Sequence, residues 1–209
     1  MAMDEEIIHD LLEIEAVQLS PEEYFTWTSG IKSPIYCDNR LTMSYPEIRK
    51  KIAKAFVNII ESKDMKPDVI AGCATAGIPH AAWLSTALNL PMVYVRSKPK
   101  GHGKGNQIEG VIKPGQKVVV IEDLISTGGS SIKSADALTA AGVDVIGVLA
   151  ILSYGLSKTK DQFASSGYYF ETITNFDKLL EALVQNGELT TKERTSMIEW
   201  RDKLTFPNN

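Results

Sequence analysis

The sequence has few of the residues that build disulfide frameworks or metal clusters. Its 209 residues include only two cysteines, Cys37 and Cys73, and three histidines. Two cysteines so far apart form neither a metal-ligand spacing nor a disulfide framework, so each is expected to be a small buried residue. We therefore expect a reducing, cytoplasmic setting.

The chain also lacks a strong charge of either sign and any long apolar run. A formal net charge of −4 gives no general reason to bind nucleic acid or membrane. No apolar stretch is long enough to cross a bilayer, and the acidic, amphipathic N-terminus is neither a signal peptide nor a transit peptide. There is no internal repeat. The composition suits one α/β domain over residues 1–209.

The most informative stretch is residues 117–131, KVVVIEDLISTGGSS. Four β-branched residues predict a strand at 118–121 that is buried on both faces. The acidic pair, Glu122 and Asp123, follows it, and then come small and hydroxyl residues ahead of a helical pattern. A Gly-rich turn before a helix binds anions, so we expect a phosphate there, with the acidic pair beside its sugar. The alternative is an ordinary N-capped helix, but two carboxylates at the end of a buried strand favour a ligand site.

Alternating patterns predict a doubly wound parallel sheet as the core, over residues 66–175. Strands are expected at 68–73, 91–95, 118–121 and 144–152, with an edge strand at 168–173, and helices at 78–89 and 130–141. The N-terminal part, residues 1–45, holds a predicted helix at 4–18 and a small β-hairpin at 24–40, which lies outside the main sheet and which we call the hood. Further helices are expected at 46–63 and, within the C-terminal part 176–209, at about 175–186 and 190–203.

The basic loop, residues 96–116, shows no regular periodicity. Its first part is rich in glycine and carries no acidic residue until Glu109. A connection of this length is usually functional or disordered, and the concentration of positive charge favours an anionic ligand. A solvated flap is the alternative. Next to a phosphate site, we expect a mobile lid.

Four motifs in order resemble those of the orotate phosphoribosyltransferases, a branch of the type I phosphoribosyltransferases. VVVIEDLISTGGSS is similar to the motif for phosphoribosyl pyrophosphate (PRPP), and RSKPKGHGKGNQIEG to the mobile catalytic loop. FTWTSGIKSPIYCDNR resembles the family's hood, and GCATAGIP its pyrophosphate-side loop. The resemblance covers roughly residues 20–150 and implies an open, mostly parallel sheet flanked by helices, with a small N-terminal hood.

The resemblance also implies an activity and a set of site residues. The enzyme would transfer the phosphoribosyl group of PRPP to orotate, giving orotidine 5′-monophosphate and pyrophosphate in de novo UMP synthesis. Mg²⁺ would be held mainly by substrate oxygens, with no protein ligand, and the loop would act on the neighbouring subunit's site in a homodimer. The implied catalytic residues are Arg96, Lys100 and His102. These three would also bind PRPP, together with Glu122, Asp123, Leu124, Ile125, Ser126, Thr127, Gly128, Gly129 and Ser130, and Ser126 would meet orotate as well.

The sequence departs from the family pattern at a residue that binds the nucleobase in many relatives. Many relatives have an Arg after the fourth strand that pairs with the carboxylate of the base, whereas AILSYGLSK offers Tyr154. Lys32 in the hood is a candidate substitute, although an exposed turn lysine is the simpler interpretation. Ser97, Thr28 and Thr75-Ala76 also replace residues common in relatives. Two alternatives stay open: a purine-base phosphoribosyltransferase, and a non-enzymatic PRPP sensor.

The remaining aromatic and histidine residues are expected to be structural. His9 and His80 lie in helical patterns, as surface or hydrogen-bonded residues. Trp83 and Trp200 are expected in packed helices. Trp27 and Tyr36 in the hood could stack on a pyrimidine, although packing is the commoner role for such residues.

Overall fold

A computed structural model describes residues 3–21, 23–26, 30–98 and 107–204. The N-terminal part contains α1 (Met3–Glu13), β1 (Val17–Leu19), β2 (Phe25–Thr26), β3 (Lys32–Ser33), β4 (Ile35–Cys37), a 3-10 helix (Asn39–Ser44) and α2 (Pro46–Ser62). Strand β1 pairs with β4, and β2 pairs with β3, both antiparallel and both separate from the main sheet. The hairpin predicted for the hood is confirmed.

The main sheet has six strands and is mostly parallel. The chain continues through β5 (Val69–Cys73), α3 (Gly77–Leu88), β6 (Met92–Val95), β7 (Ile108–Glu109), β8 (Lys117–Ile125), α4 (Gly129–Ala140), β9 (Asp144–Ser153), α5 (Ser157–Ser166), β10 (Phe170–Asn175), α6 (Phe176–Gln185) and α7 (Thr191–Asp202). The spatial order is β10-β9-β8-β5-β6-β7. Among the described strands of this sheet, only β7 runs antiparallel to its neighbour, β6. The predicted doubly wound core, with its edge strand, is confirmed.

The structure corrects two predicted boundaries and adds one strand. The first helix ends at Glu13 rather than residue 18, and Glu15 takes a left-handed conformation with φ 56° that breaks the helix. Strand β8 runs on to Ile125, because β9 extends beside it and pairs Ser153 with Ile125. The acidic pair and the next two residues are therefore strand residues and not a loop. Within the basic loop, β7 is a short strand that sequence periodicity did not show.

The core lies on both faces of the sheet, and β8 contributes to each. Val119 and Ile121 pack into a cluster with α1, α2, α3 and α6. Val118 and Val120 pack into the opposite cluster with α4 and α5. Alternate side chains of β8 therefore pack on opposite faces, as expected for a strand buried on both faces. This packing fixes the carboxyl end of β8 at the middle of the sheet edge.

Candidate active site

The candidate site lies at the carboxyl edge of the sheet, where β8 ends between β5 and β9. In open α/β sheets this edge is the usual place for a ligand. Strand β8 ends at Ile125, the chain then bends through Gly128, whose φ is 86°, and α4 begins at the next residue. The structure therefore brings the acidic pair and the phosphate loop (Ser126–Ser130) together as predicted, because they are adjacent along one strand-turn-helix unit.

Glu122 is buried and Asp123 is partly buried, and their two carboxyls interact. Glu122 is only 6% exposed and accepts hydrogen bonds at 3.2 Å from the Ser130 hydroxyl and from the Asp123 backbone N–H. Burial, reinforced by the Asp123 carboxylate, raises the pKa of Glu122 to about 8. Burial also raises the pKa of Asp123. Two buried carboxyls this close keep a proton near neutral pH unless hydroxyls or a cation compensate their charge.

The phosphate loop is shaped by α4 and α5. No side chain caps the N-terminus of α4, and the Ser131 hydroxyl donates to the Gly128 carbonyl at 3.0 Å. On the other side, the Thr159 hydroxyl donates to the Ser126 carbonyl at 2.5 Å. A Cβ added at Gly128 would lie 2.7 Å from the Phe163 ring, so only glycine fits there. Backbone N–H groups at the start of α4 therefore remain able to bind an anion.

A side chain that sequence reasoning missed braces the acidic pair. Asn39, at the start of the 3-10 helix, is 1% exposed, and its amide donates to the Asp123 carbonyl at 2.8 Å. The pairing of β8 with β5 ends at Ile121, so this amide satisfies a carbonyl beyond the last paired residue. The contact ties the end of the hood to the strand that carries the carboxylates. No local sequence pattern predicts this contact.

Arg96 lies at the end of β6, and the predicted loop residues lie beyond it. Its guanidinium pairs with Glu109 at 3.4 Å, and its backbone N–H donates to the Gln107 carbonyl at 2.8 Å. These contacts hold together the two described ends of the basic loop. Among the described contacts, Arg96 reaches neither the acidic pair nor the phosphate loop. Lys100 and His102 lie outside the described residues.

Lys32, the hood cation that the sequence offered as a substitute for the missing Arg, contacts its own hairpin. The Lys32 ammonium donates to the Thr26 hydroxyl at 2.7 Å, and the Lys32 carbonyl accepts from the Trp200 indole at 3.0 Å. Trp200 has the structural role expected, because it also meets the Tyr24 ring edge-on at a centroid distance of 6.3 Å. Trp27 lies outside the described residues.

Tyr154 lies beside the end of β8, where its backbone N–H donates to the Ile125 carbonyl at 3.3 Å. It follows β9, is 6% exposed, and has a pKa raised by burial and then by the neighbouring Cys37 and Asp123. A raised pKa keeps its hydroxyl a neutral donor. Cys73 is buried as expected, whereas Cys37 is partly exposed, and both are free.

Two expectations about α3 need correction. Trp83 is only half-buried and lies under the Arg49 guanidinium, 5.0 Å from its ring centroid. His80 is 2% exposed, but its Nδ1 has no hydrogen-bond partner among the described residues. Burial lowers the pKa of His80 from 6.5 to about 4.

Replacing His80 with Leu should reduce the fall in unfolding free energy between pH 7 and pH 4.5. An unfolded chain binds the His80 proton near pH 6.5 and the folded chain only near pH 4, so stability present above pH 6.5 is lost as pH falls between these values. The loss amounts to about 3 kcal/mol. Denaturant unfolding at pH 7 and 4.5 would measure it. His9→Leu, at an exposed site on α1, is the control and should show the same loss of stability as the wild type. An undiminished loss in His80→Leu would show that protonation of His80 is not its cause.

Gly77 lets the first turn of α3 touch the strand that carries the acidic pair. A Cβ there would overlap the Ile121 carbonyl oxygen and lie 3.2 Å from the Glu122 Cα. Gly77→Ala should therefore cost about 3 kcal/mol of unfolding free energy, because backbone cannot yield as a side chain can. Gly129→Ala, where the nearest atom is 3.9 Å away, is the control for stability. Equal unfolding midpoints for the two variants would contradict the close packing.

Comparisons with known proteins agree with this geometry. The phosphoribosyl transferase domain family matches residues 44–178. The chain is 59% identical to the orotate phosphoribosyltransferase of Oceanobacillus iheyensis, over 97% of this chain and 100% of that protein. It is 55% identical to the orotate phosphoribosyltransferase of Listeria monocytogenes serotype 4b, over 96% of both.

Solved structures show the same fold. The orotate phosphoribosyltransferase of Aeropyrum pernix matches with a TM-score of 0.76 and 28% identity, over 86% of this chain and 98% of that one. The UMP synthase of Leishmania donovani matches with a TM-score of 0.78 and 28% identity, over 94% of this chain and 41% of that longer one. In the part of the chain described, no helix is long and apolar enough to span a membrane.

Proposed function

This chain belongs to the orotate phosphoribosyltransferases, and we propose that the acidic pair, the phosphate loop and the basic loop carry out the family's reaction. It transfers the 5-phosphoribosyl group from PRPP to orotate, in pyrimidine nucleotide synthesis. The observation that carries the assignment is near-full-length identity of 53–59% to enzymes of that name. The purine-base and sensor alternatives have no comparable support.

The reaction poses an electrostatic problem. As N1 of orotate attacks C1′, the bond from C1′ to the pyrophosphate oxygen breaks and its electron pair leaves with pyrophosphate. Positive charge develops on the ribose and negative charge builds on the leaving group. An enzyme lowers the barrier by placing fixed charges and hydrogen-bond donors where each charge develops.

The acidic pair and the phosphate loop hold the two ends of ribose 5-phosphate. The phosphate loop receives the 5′-phosphate with its backbone N–H groups and hydroxyls, and Ser126 also borders orotate. Glu122 and Asp123 accept hydrogen bonds from the ribose hydroxyls, and Leu124 and Ile125 join the two sites through β8. The burial of Glu122 and its bond to Ser130 support this assignment, because they fix the carboxylates in one orientation.

Mg²⁺ fits this site as a partner of the substrate. When bound, it would supply positive charge that offsets the negative charge building on the departing pyrophosphate. The described residues place three potential metal ligands close together only on α1, at His9, Asp10 and Glu13, where Asp10 already pairs with Lys51 at 2.8 Å. The acidic pair offers hard carboxylate oxygens, which match this ion without forming a cage around it.

The basic loop provides positive charge for the leaving group. Arg96 and Lys100 act as clamps on the pyrophosphate oxygens, and His102 as a clamp or proton donor. The loop acts on the site of a second subunit in a homodimer. Mixing Lys100→Ala and Glu122→Gln subunits, at a PRPP concentration too low to fill the Glu122→Gln site, tests this, because a mixed dimer would regain one complete site. No recovery, with mixed dimers present by sedimentation, would contradict the exchange.

We place the enzyme in the cytoplasm, in keeping with its two free cysteines. Pyrophosphate release from PRPP tests the choice of base, with orotate compared against adenine, hypoxanthine and xanthine at equal concentrations. Orotate alone should support release. Release with a purine and none with orotate would overturn the proposed function.

A further inference from the structure

Helix α5 buries two residues, and both contact the phosphate loop. Thr159 and Phe163 are each 1% exposed and lie one turn apart on the same face of the helix. The Thr159 hydroxyl donates to the Ser126 carbonyl at 2.5 Å. A Cβ added at Gly128 would lie 2.7 Å from the Phe163 ring. The buried face of α5 therefore packs against this loop.

Phe163 anchors α5 and so fixes Thr159 beside the loop. The Phe163 ring stacks on the Phe170 ring of β10 at a centroid distance of 4.2 Å, and it belongs to the core cluster on this face of the sheet. In the first turn of α5, the Thr159 backbone N–H donates to the Leu156 carbonyl at 3.1 Å. Because a β-branched side chain is restricted at χ1, the Thr159 hydroxyl keeps its direction once the helix is anchored.

The bond from Thr159 sets the orientation of the peptide that joins Ser126 to Thr127. In a trans peptide the carbonyl and the N–H point in opposite directions. Since the Ser126 carbonyl points to α5, the Thr127 N–H points away from that helix. Within the described part of the chain, no group accepts a hydrogen bond from this N–H. The Thr127 N–H is therefore available to an anion in the loop.

The peptide at the start of α4 is oriented by contacts of its own helix. The Gly128 carbonyl accepts from the Ile132 N–H at 2.9 Å, so the Gly129 N–H points out of the N-terminus of α4. The Ser126 carbonyl has no such partner in its own segment. Among the described contacts, it accepts from the Thr159 hydroxyl alone. One half of the phosphate loop thus depends on a side chain from a different helix.

We propose that Thr159 is a positioning residue for the 5′-phosphate, because its hydroxyl holds the Ser126 carbonyl so that the Thr127 N–H faces the bound phosphate. This role rests on the proposed function, which places the 5′-phosphate of PRPP in the loop. It concerns binding and not bond breaking, since the 5′-phosphate lies at the far end of the ribose from C1′. Phosphate affinity then depends on α5, a helix that carries none of the assigned PRPP-binding residues.

Thr159→Val keeps the shape of the side chain and removes its hydroxyl. Calorimetry should show Kd for PRPP and for orotidine 5′-monophosphate raised by about 5- to 30-fold, as expected when a hydrogen bond to a charged group is weakened. At saturating PRPP, kcat should stay within about 2-fold, because this contact is equal in the ground state and the transition state. Thr159→Ser, which keeps the hydroxyl, should recover most of the affinity. Inhibition by orotidine, which lacks the phosphate, should be the same in all three proteins.

Thr174→Val is the matched control, because Thr174 on β10 is fully buried and its hydroxyl has no partner among the described residues. The same substitution there should leave Kd for PRPP unchanged. A lower unfolding midpoint in Thr159→Val with wild-type affinity for PRPP would show a merely structural role and overturn the inference. An equal loss of affinity for orotidine would also overturn it, because the effect would not be specific to the phosphate. Failure of the wild-type enzyme to bind PRPP and convert orotate would instead overturn the proposed function.

Discussion

Replacing Lys100 with Ala lowers kcat for the orotate reaction by about 100- to 1000-fold, while the Kd for PRPP changes by less than about 10-fold. A clamp on the leaving group matters most when the bond from C1′ breaks, because pyrophosphate gains negative charge only then. Its contribution is therefore larger in the transition state than in the PRPP complex.

Rapid-quench turnover and equilibrium binding of PRPP separate the two effects. Lys113→Ala is the charge-matched control, since Lys113 is an exposed lysine that also belongs to the basic loop but lies after β7. It should retain wild-type kcat. If Lys100→Ala also keeps wild-type kcat, the residue has no catalytic role, and Lys98→Ala would be the next variant to measure.

Glu122→Gln should make the free enzyme more stable at pH 8 to 9 and weaken PRPP binding by about 30- to 100-fold. The folded pKa of Glu122 is about 8 against 4.5 when unfolded, so its favourable contribution is complete below pH 4.5 and is lost as pH rises through 8. An amide removes the buried charge and with it this loss. It also replaces one of the two acceptor oxygens with an NH₂ donor and removes the charge that strengthens hydrogen bonds from ribose hydroxyls, which accounts for the weaker binding.

Thermal unfolding from pH 5 to 9 and PRPP calorimetry measure both consequences on the same protein. The midpoints of variant and wild type should be close at pH 5 and diverge as pH rises. Calorimetry in buffers of different ionisation enthalpy should also show wild-type PRPP binding releasing a proton at pH 7. Parallel pH profiles, or PRPP binding as tight as in wild type, would contradict a buried proton on Glu122 that sugar binding displaces.

The sequence predicted the parts of the site that are contiguous along the chain. The strand ending in Glu122 and Asp123 and the loop to Ser130 form one strand-turn-helix unit, so their chemistry and placement can be read together. The parallel core was predictable for the same reason, because short buried strands alternate with helices. The roles of Arg96, Lys100, His102 and Mg²⁺ came from family resemblance and stay predictions.

What the sequence did not show depends on contacts between distant segments or on weak local signals. The bond from Asn39 to the Asp123 carbonyl joins residues 84 positions apart, and nothing near either residue announces it. The end of β8 is set by pairing with β9 and not by its own composition. Helix α5 was missed because SKTKDQFASS is mostly polar and buries only Thr159 and Phe163, too few for a hydrophobic stripe.

This chain joins orotate to the ribose of PRPP. The most direct test follows the ultraviolet absorbance of orotate mixed with the protein, PRPP and Mg²⁺. We expect loss of the orotate band only when all three are present, with one pyrophosphate formed for each orotate consumed. An unchanged band, in a sample that still binds PRPP by calorimetry, would contradict it.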